Sequence, residues 1–357
     1  MMTHTLQMRL SASVALLLLG ACAGQPGGRP AVATAPTTAI PASGETVPVA
    51  TANADAADDP AIWARADGAA FDFGGKRVDG LILGTDKKAG LYVFGLDGQA
   101  LQFLPDGLLN NVDLRSDGDG FVAAASDRGR MGVALYRYSG SGQLAPAGFL
   151  RSDVAEPYGM CMGRQGDTLV AVLISKEGTI VQYALHGAAD GTLTGTEQRR
   201  MRIATQSEGC VVDEAGGYLY VGEEDVGIWR FIWGAEPATA EKVAAVGDGS
   251  LVADVEGLTI LTLDGERLLI ASSQGDNAFS VYRLGIATKM PVYAGRFRVV
   301  ADGGVDGVSG TDGVDARGGR IGGYPDGLVV TQDDQNEGGP QNFKLIDARN
   351  LRAVIAN

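Results

Sequence analysis

The amino-acid sequence predicts an all-β fold, a six-bladed β-propeller. From residue 45 onward one pattern of strands and turns returns six times, and the copies open 52, 48, 50, 48 and 56 residues apart, at residues 58, 110, 158, 208, 256 and 312. The chain has 53 glycines among 357 residues, which suits the tight turns of blades, and no stretch has a helical apolar period long enough for a substantial helix. A near-constant period made of strands is typical of one four-stranded blade per repeat. The alternative is a β-sandwich with coincidental spacing.

Each copy of the repeat contains three recognisable strand segments. A polar residue opens a short apolar strand, a turn leads into a very apolar strand that ends in small polar residues, and a third strand follows. The segments are 58–63, 80–85 and 90–94; 110–114, 121–126 and 133–136; 158–160, 169–175 and 180–185; 208–210, 218–222 and 227–231; 256–260, 268–273 and 279–284; and 312–314, 327–331 and 342–346. Because equivalent positions of a propeller lie at one height around its axis, we expect the opening residues to meet at one end of the central channel.

Two rings of polar side chains follow from this repeat. The opening residues, most of which offer oxygen ligands, are Asp59, Asn111, Tyr158, Glu208, Glu256 and Asp312. The turns after the central apolar strands are 86–88, 127–128, 176–177, 223–225, 274–276 and 332–334, with basic residues in the first three and acidic residues in the last three. Crowded carboxylates need a neutralising cation, and their hard oxygens favour Ca²⁺. The facing lysines and arginine favour an anionic substrate such as a phosphate.

The overall composition excludes several classes of function. With 43 acidic and 29 basic residues the net charge is −14, which argues against a nucleic-acid partner and for one that recruits cations. The two histidines are His4 and His186, and the first lies in a predicted leader, so chemistry that needs a histidine pair is excluded. The sequence also lacks a cysteine phosphatase loop and a phosphate-binding Gly-x4-Gly-Lys-Ser/Thr turn. A metal-activated water remains as the nucleophile.

The first 21 residues predict an export signal of the lipoprotein type. Arg9 is their one charge, and 14–20 form an apolar segment too short to span a bilayer. The segment ends in Leu-Gly-Ala-Cys at 19–22, which resembles a bacterial lipobox and predicts lipidation of Cys22; an ordinary cleaved signal is the alternative. Cleavage would leave a charge of −15, because only Arg9 is lost from −14. We expect an exported protein held by a lipid anchor, in the outer membrane or periplasm of a Gram-negative bacterium, since Ala23 follows Cys22.

The next segment predicts a flexible connection. Residues 22–44 are rich in Ala, Pro and Thr without a hydrophobic period, which is typical of a tether, and 45–357 are predicted to form the propeller domain. In an exported protein Cys161 and Cys210 would lie in an oxidising compartment. The sequence leaves open whether they are paired or simply buried. The membrane contact is expected through the anchor alone, and the protein is expected to be a monomer.

Several strings, in order along the chain, resemble the β-propeller phytases, the alkaline calcium-dependent 3-phytases. The strings are 58–63, 110–115, 207–209, 223–225 before 228–229, 256–260, 272–275 and 341–344, and the likeness covers 45–352. The resemblance implies a six-bladed propeller, several bound Ca²⁺ ions and stepwise hydrolysis of phytate to lower inositol phosphates. It also implies in-line attack on phosphorus by a water bound to calcium.

The resemblance further implies roles for named residues. Calcium ligands at the catalytic end would be Asp58, Glu208, Glu224, Glu256 and Asp312. A tighter structural calcium site would contain Asp59 and Asp306 with Gln332 and Asp333. The phosphate would be held by Lys87, Lys88, Arg128, Tyr158 and Lys176, with Glu177 beside them, and the catalytic set would be Lys87, Arg128, Tyr158, Lys176, Glu177 and Glu208.

One departure from the family pattern precedes the last blade. Between Asp306 and Asp312, Gly310 replaces a middle aspartate that family members often carry, which removes one expected ligand of the structural calcium site. Two other functions stay open from the residues: a calcium-dependent, lactonase-like propeller hydrolase and a noncatalytic surface-binding propeller. Neither needs a half-ring of lysines and arginine, so the opposed basic and acidic turns favour the phytase.

Overall fold

Six antiparallel sheets make up the propeller in the computed structural model, which describes residues 33–52, 55–236, 238–285 and 289–355. The first strands of the six sheets contact one another in a closed ring around the channel. The predicted six-bladed β-propeller is therefore confirmed. Within the described part of the chain, no helix is long and apolar enough to cross a membrane.

Each of the first three blades is a sheet of four strands in chain order. The first contains β3 (Ala57–Trp63), β6 (Leu81–Asp86), β7 (Gly90–Gly95) and β8 (Ala100–Leu104), with a hairpin of β4 (Phe71–Phe73) and β5 (Lys76–Val78) inserted. The second contains β9 (Leu109–Asp117), β10 (Gly120–Asp127), β11 (Gly132–Tyr138) and β12 (Ala145–Arg151). The third contains β13 (Pro157–Gln165), β14 (Thr168–Ser175), β15 (Thr179–Gly187) and β16 (Leu193–Arg202).

Of the last three blades, the fifth and sixth recruit strands from the N-terminal part of the chain. The fourth contains β17 (Ser207–Asp213), β18 (Tyr218–Glu223), β19 (Gly227–Ile232) and β20 (Glu241–Ala245). The fifth contains β21 (Leu258–Leu263), β22 (Glu266–Ser273), β23 (Ala278–Leu284) and β24 (Val292–Val300), with β1 (Thr38–Pro41) parallel to β24. The sixth contains β25 (Val314–Gly318), β26 (Gly327–Asp333), β27 (Asn342–Asp347) and β2 (Gly44–Glu45). Short helices span Gln274–Asp276, Ala348–Leu351 and Arg352–Ile355.

The two N-terminal strands correct the predicted tether boundary. Residues 38–41 extend the fifth blade and residue 44 begins the outer strand of the sixth, so the tether prediction is wrong for this part of 22–44. The pairing covers strand edges that would otherwise expose unpaired N–H and C=O groups, and Ile40 is buried in the core beside the fifth blade. The predicted signal, Cys22 and residues 22–32 lie outside the described residues.

The core lies between neighbouring blades because alternate residues of a strand point to opposite faces of its sheet. In β10, Phe121 and Ala123 pack with side chains of the first blade. Val122 and Ala124 of the same strand pack with side chains of the third blade. Each blade is thus buried on both faces, and a fully buried Val, Leu or Phe side chain contributes about 1.5–3 kcal/mol.

Carboxylates that line the central channel join neighbouring inner strands; Asp59 is buried, and Asp113 and Asp315 are half-buried. Each accepts a hydrogen bond from a backbone N–H of the next blade: Val112 N to Asp59 Oδ2 (3.0 Å), Met162 N to Asp113 Oδ2 (2.7 Å) and Ile62 N to Asp315 Oδ2 (2.7 Å). Burial raises the pKa of all three carboxyls, and it raises that of Asp315 to about 6. These bonds satisfy strand N–H groups that face the channel.

A disulfide bond joins the inner strands of the third and fourth blades. It links Cys161 of β13 to Cys210 of β17, with the two Cα atoms 5.7 Å apart. The sequence left this pairing open, and the structure shows that the cysteines are paired. The bond closes a chain segment that spans 49 positions, which restricts the unfolded chain and so stabilises the fold.

Candidate active site

Five carboxylates converge at one end of the central channel, which we call the mouth. Asp58, Glu208 and Asp312 each place an oxygen within 4.8 Å of the other two, and Glu208, Glu224 and Glu256 form a second such triad. All five side chains are buried. We call them the carboxylate cluster; its members are the ones that the family resemblance assigned to the catalytic calcium site.

The backbone brings these side chains together through bulges and glycines. The strand register shifts at Ala57–Pro60, Pro157–Met160 and Ser207–Cys210, and β-bulges of this kind redirect side chains at a strand end. A glycine follows the opening residue in four blades. A Cβ at Gly159 would overlap the Glu208 carbonyl oxygen, and one at Gly209 would overlap that of Glu256. The opening residues can therefore approach one another closely.

Burial and mutual repulsion disfavour the charged form of these carboxylates. Burial raises the pKa of Glu224 to about 7 and that of Glu256 to about 8. The pKa values of Glu208 and Asp312 are also raised, first by burial and then by the charges of Asp58 and Glu256. Without added positive charge, part of the cluster would hold protons at neutral pH.

Lys87 supplies positive charge directly to the cluster. Its Nζ lies 2.7 Å from Asp58 Oδ1, 2.8 Å from Asp55 Oδ1 and 3.7 Å from Asp312 Oδ2. Burial alone would lower the pKa of Lys87, but the Asp58 and Asp312 carboxylates outweigh burial and raise it. The structure therefore places this predicted phosphate ligand among the carboxylates, as a permanently charged ammonium.

The oxygen atoms at the mouth fit a hard cation. Among the described residues, Asp58 Oδ2, Asn110 Oδ1 and Glu224 Oε1 are buried without a hydrogen-bond partner. Buried polar atoms ordinarily have partners, and a divalent cation bound by carboxylates would supply one. Oxygen ligands without thiol or imidazole suit Ca²⁺, Mg²⁺ or Mn²⁺.

The basic side of the mouth contains Arg128, Tyr158 and Lys176. The guanidinium of Arg128 is only loosely held, 3.9 Å from Glu156 Oε1 and 3.5 Å from the Lys87 carbonyl oxygen. Lys176 Nζ lies 5.1 Å from the centre of the Tyr158 ring. The pKa of Tyr158 is raised by burial and by Glu208 and Glu224, so its hydroxyl keeps its proton.

Lys88 and Glu177 lie at the outer part of this site. Both side chains are exposed, in contrast to Lys87 and Lys176 next to them in sequence. Each pair lies in the turn that follows a central strand, β6 or β14, where the first side chain is buried or half-buried and the second faces solvent. The predicted phosphate contact of Lys88 and the predicted catalytic role of Glu177 stay predictions.

A second group of carboxylates lies in the sixth blade. Lys344 is fully buried there, and its Nζ contacts Glu45, Asp306 and Asp333. Gln332 Oε1 and Asp333 Oδ2 are buried without a hydrogen-bond partner in the described chain. Asp306 and Asp333 therefore meet at Lys344, whereas Gln332 pairs with Phe343 and lies on the opposite face of β26. The sequence prediction did not include Glu45 or Lys344, and the structural cation site stays a prediction.

The structure does not bring Asp59 to that region. Asp59 lines the central channel, accepts a hydrogen bond from Val112, and interacts with the charges of Asp58, Asp113 and Asp315. Among the described residues, Asp59 forms no hydrogen bond or ion pair with Asp306 or Asp333. Its grouping with them is a wrong prediction, because adjacent Asp58 and Asp59 point to different sides of the same bulged strand.

Fold and site together define a β-propeller whose carboxylate cluster has the oxygen donors that suit a metal ion and faces lysine and arginine side chains. The profile of the phytase family matches residues 6–355, and the chain belongs to this family. It is 36% identical over 331 residues to a 3-phytase of Bacillus subtilis (strain 168), which covers 86% of this chain and 83% of that protein. The β-propeller domain of Myceliophteria thermophila Cps50 (Swd1) is a solved structure with a TM-score of 0.48 and 12% identity, over 82% of this chain and 83% of that one.

We predict that Gly209→Ala destabilises the protein by about 3 kcal/mol, the cost of overpacking a site that cannot expand. The reason is that the new Cβ would overlap the Glu256 carbonyl oxygen of the next blade. Urea unfolding in a calcium chelator measures the loss. The matched control is Gly323→Ala, which has no atom within 4 Å of the added Cβ; equal stability of the two variants would contradict the close-approach argument.

Proposed function

We propose that this phytase hydrolyses phytate to lower inositol phosphates and phosphate, and that calcium is the metal it uses. Family membership supports the activity. The single observation that carries the site assignment is the carboxylate cluster with Arg128 and Lys176 beside it. Phytate carries six phosphate groups and is strongly anionic. Two sources of positive charge would bind it: metal ions held by the carboxylate cluster, and the basic side chains of the protein.

The shape of the carboxylate cluster favours calcium over magnesium. Its five members come from four blades, and the two triads share only Glu208. Calcium accepts six to eight oxygen ligands in irregular geometry, whereas magnesium requires a near-octahedral shell and keeps its waters. Bound calcium would supply positive charge and an activated water for attack on phosphorus.

The basic side chains would hold the phosphate that is cleaved. Arg128 has weak internal contacts, so its N–H groups are free to donate to phosphate oxygens in a bidentate manner. Lys176 is held at the mouth by the face of Tyr158. The protonated Tyr158 hydroxyl can donate a hydrogen bond to a phosphate oxygen. These donors would stabilise the charge that develops on the equatorial and leaving oxygens.

We also propose that the protein is exported and lipid-anchored through Cys22. The apolar leader and the lipobox-like 19–22 support export. The Cys161–Cys210 disulfide supports it independently, because disulfides persist in oxidising compartments. Anchoring would keep the enzyme at the cell surface or in the periplasm.

We expect Lys176→Ala and Arg128→Ala each to lower kcat/KM for phytate by about 10²–10³, the cost of removing one charge-stabilising donor. Their free energies of unfolding should change by no more than about 1 kcal/mol, the worth of an exposed cation–π contact. Phosphate release and urea unfolding measure the two effects.

The matched control is Lys242→Ala, since Lys242 Nζ also lies over an aromatic ring, 5.0 Å from the centre of Trp229 in the fourth blade. Lys242→Ala should leave activity unchanged. If Lys176→Ala behaves like this control, Lys176 has no role in binding the phosphate.

We expect calcium binding to strengthen as pH rises from 6 to about 8. The reason is that calcium competes with protons on Glu224 and Glu256, whose pKa values are raised to about 7 and about 8. In the metal-free chain, Glu256 has a pKa of about 8 in the folded state and its ordinary value of 4.5 in the unfolded state. Between these pH values the folded state binds more protons, so the free energy of unfolding falls as pH rises toward 8.

Calorimetric titration with calcium and melting curves in chelator, each between pH 5 and 9, test both trends. Phosphate release from phytate should stop in chelator and return with calcium. Equal activity with and without chelator would contradict the calcium proposal, and calcium binding without any phosphate release would indicate a binding protein.

For the anchor, we expect Cys22→Ala to move the protein from the membrane fraction to the soluble fraction, because the acyl chains can no longer be attached. Incorporation of labelled palmitate into the wild-type chain provides the direct measurement. A Cys22→Ala protein that still sediments with membranes would refute lipidation at this residue.

A further inference from the structure

Neutral amide side chains contact the carboxylate cluster. Asn110 Nδ2 donates a hydrogen bond of 2.7 Å to Glu208 Oε1. Gln274 Nε2 donates to Glu256 Oε2. Glu208 is the one carboxylate that belongs to both triads at the mouth, so the amide that holds it acts on both potential ligand sets.

The contact of Asn110 crosses the mouth of the channel. Asn110 lies in β9 of the second blade, and Glu208 lies in β17 of the fourth, 98 residues further along the chain. Asn110 is 1% exposed. The bond therefore spans the third blade and ties together two blades that are not neighbours.

Asn111 supports the same carboxylate from an adjacent position. With its amide nitrogen facing the mouth, it donates to Glu208 Oε1 at 2.9 Å and to the Tyr158 carbonyl oxygen at 2.9 Å. Glu208 Oε1 thus has neutral donors on one side.

A neutral donor differs physically from the ammonium of Lys87. An ammonium attracts a carboxylate but repels a calcium ion at the same place. An amide N–H fixes the position of one carboxylate oxygen and adds no net charge. It orients the ligand, as outer partners of metal ligands commonly do.

We propose that Asn110 and Gln274 are positioning residues that hold Glu208 and Glu256 in the orientation that binds calcium. This inference rests on the proposed calcium-dependent function. It adds two residues to the site whose contribution passes through the carboxylates and not through contact with phosphate.

The test compares calcium binding by purified wild-type protein, Asn110→Ala and Gln274→Ala with that of Gln102→Ala. Gln102, on the outer strand β8, is the matched control because, among the described residues, its side-chain amide bonds only to the backbone of Leu144, at 2.8 and 3.1 Å. Titration calorimetry with calcium chloride gives the affinity, and melting curves in chelator give the stability of the metal-free fold.

Asn110→Ala and Gln274→Ala should bind calcium about 10–100-fold more weakly than wild type, the usual cost of removing an outer partner. Their melting temperatures in chelator should fall no further than that of Gln102→Ala. Added calcium should raise their melting temperatures less than it raises that of wild type, because weaker binding gives less stabilisation.

Calcium affinities within twofold of wild type would overturn the positioning role. If Asn110→Ala does not fold, Gln274→Ala decides, since Gln274 is part-exposed on a short helix. A wild-type chain that binds no calcium would contradict the proposed function itself, whereas normal wild-type binding with unchanged variants contradicts the positioning role alone.

Discussion

The close approach of the inner strands at the mouth is the constraint on which the site depends. Backbone carbonyl oxygens of one blade occupy the space that a Cβ atom of the preceding blade would need. Glycine, which has no Cβ, therefore stands at these four positions: Gly159, Gly209, Gly257 and Gly313. This contact places the opening residues next to one another. Without it, carboxylates from separate blades could not share a cation, and the six sheets would surround a wider and less organised pore.

The same approach creates an electrostatic cost that function requires. Five buried carboxylates within a small volume disfavour their own ionisation, as the raised pKa values of Glu224 and Glu256 show. The protein offsets part of this cost with one buried ammonium, that of Lys87. The cation that we propose would offset the remainder, and its affinity for the mouth would then derive from repulsion that folding has already imposed. Repulsion within the carboxylate cluster lowers the stability of the fold at its functional site, which is a common pattern in proteins.

The sequence predicted the structural features that recur in every blade, and it did not predict contacts that occur only once. The fifty-residue period gave six blades, and the polar openings of the blades indicated Glu208, Glu256 and Asp312 at one end of the channel. Asp59 was misplaced because one step along a strand moves a side chain to the other side. Glu45 and Lys344 were missed because nearly 300 residues separate them in the chain. The hydrogen bond of Asn110 to Glu208 joins non-neighbouring blades, which no local pattern signals. Residues 38–44 were predicted to be part of a tether, because an edge strand of two to four residues is too short to show an alternating hydrophobic pattern.

The strands β1 and β2 determine when the ring can be completed. They pair with β24 and β27, so residues near 40 meet residues near 300 and 345. During synthesis the N-terminal strands emerge first, yet their partners are made last, and the sheets they finish stay open until then. Contacts of such long sequence separation form slowly, because the chain must close a large loop before they give any stabilisation. The fifth and sixth blades are therefore the part of the propeller whose edges are exposed longest to other chains.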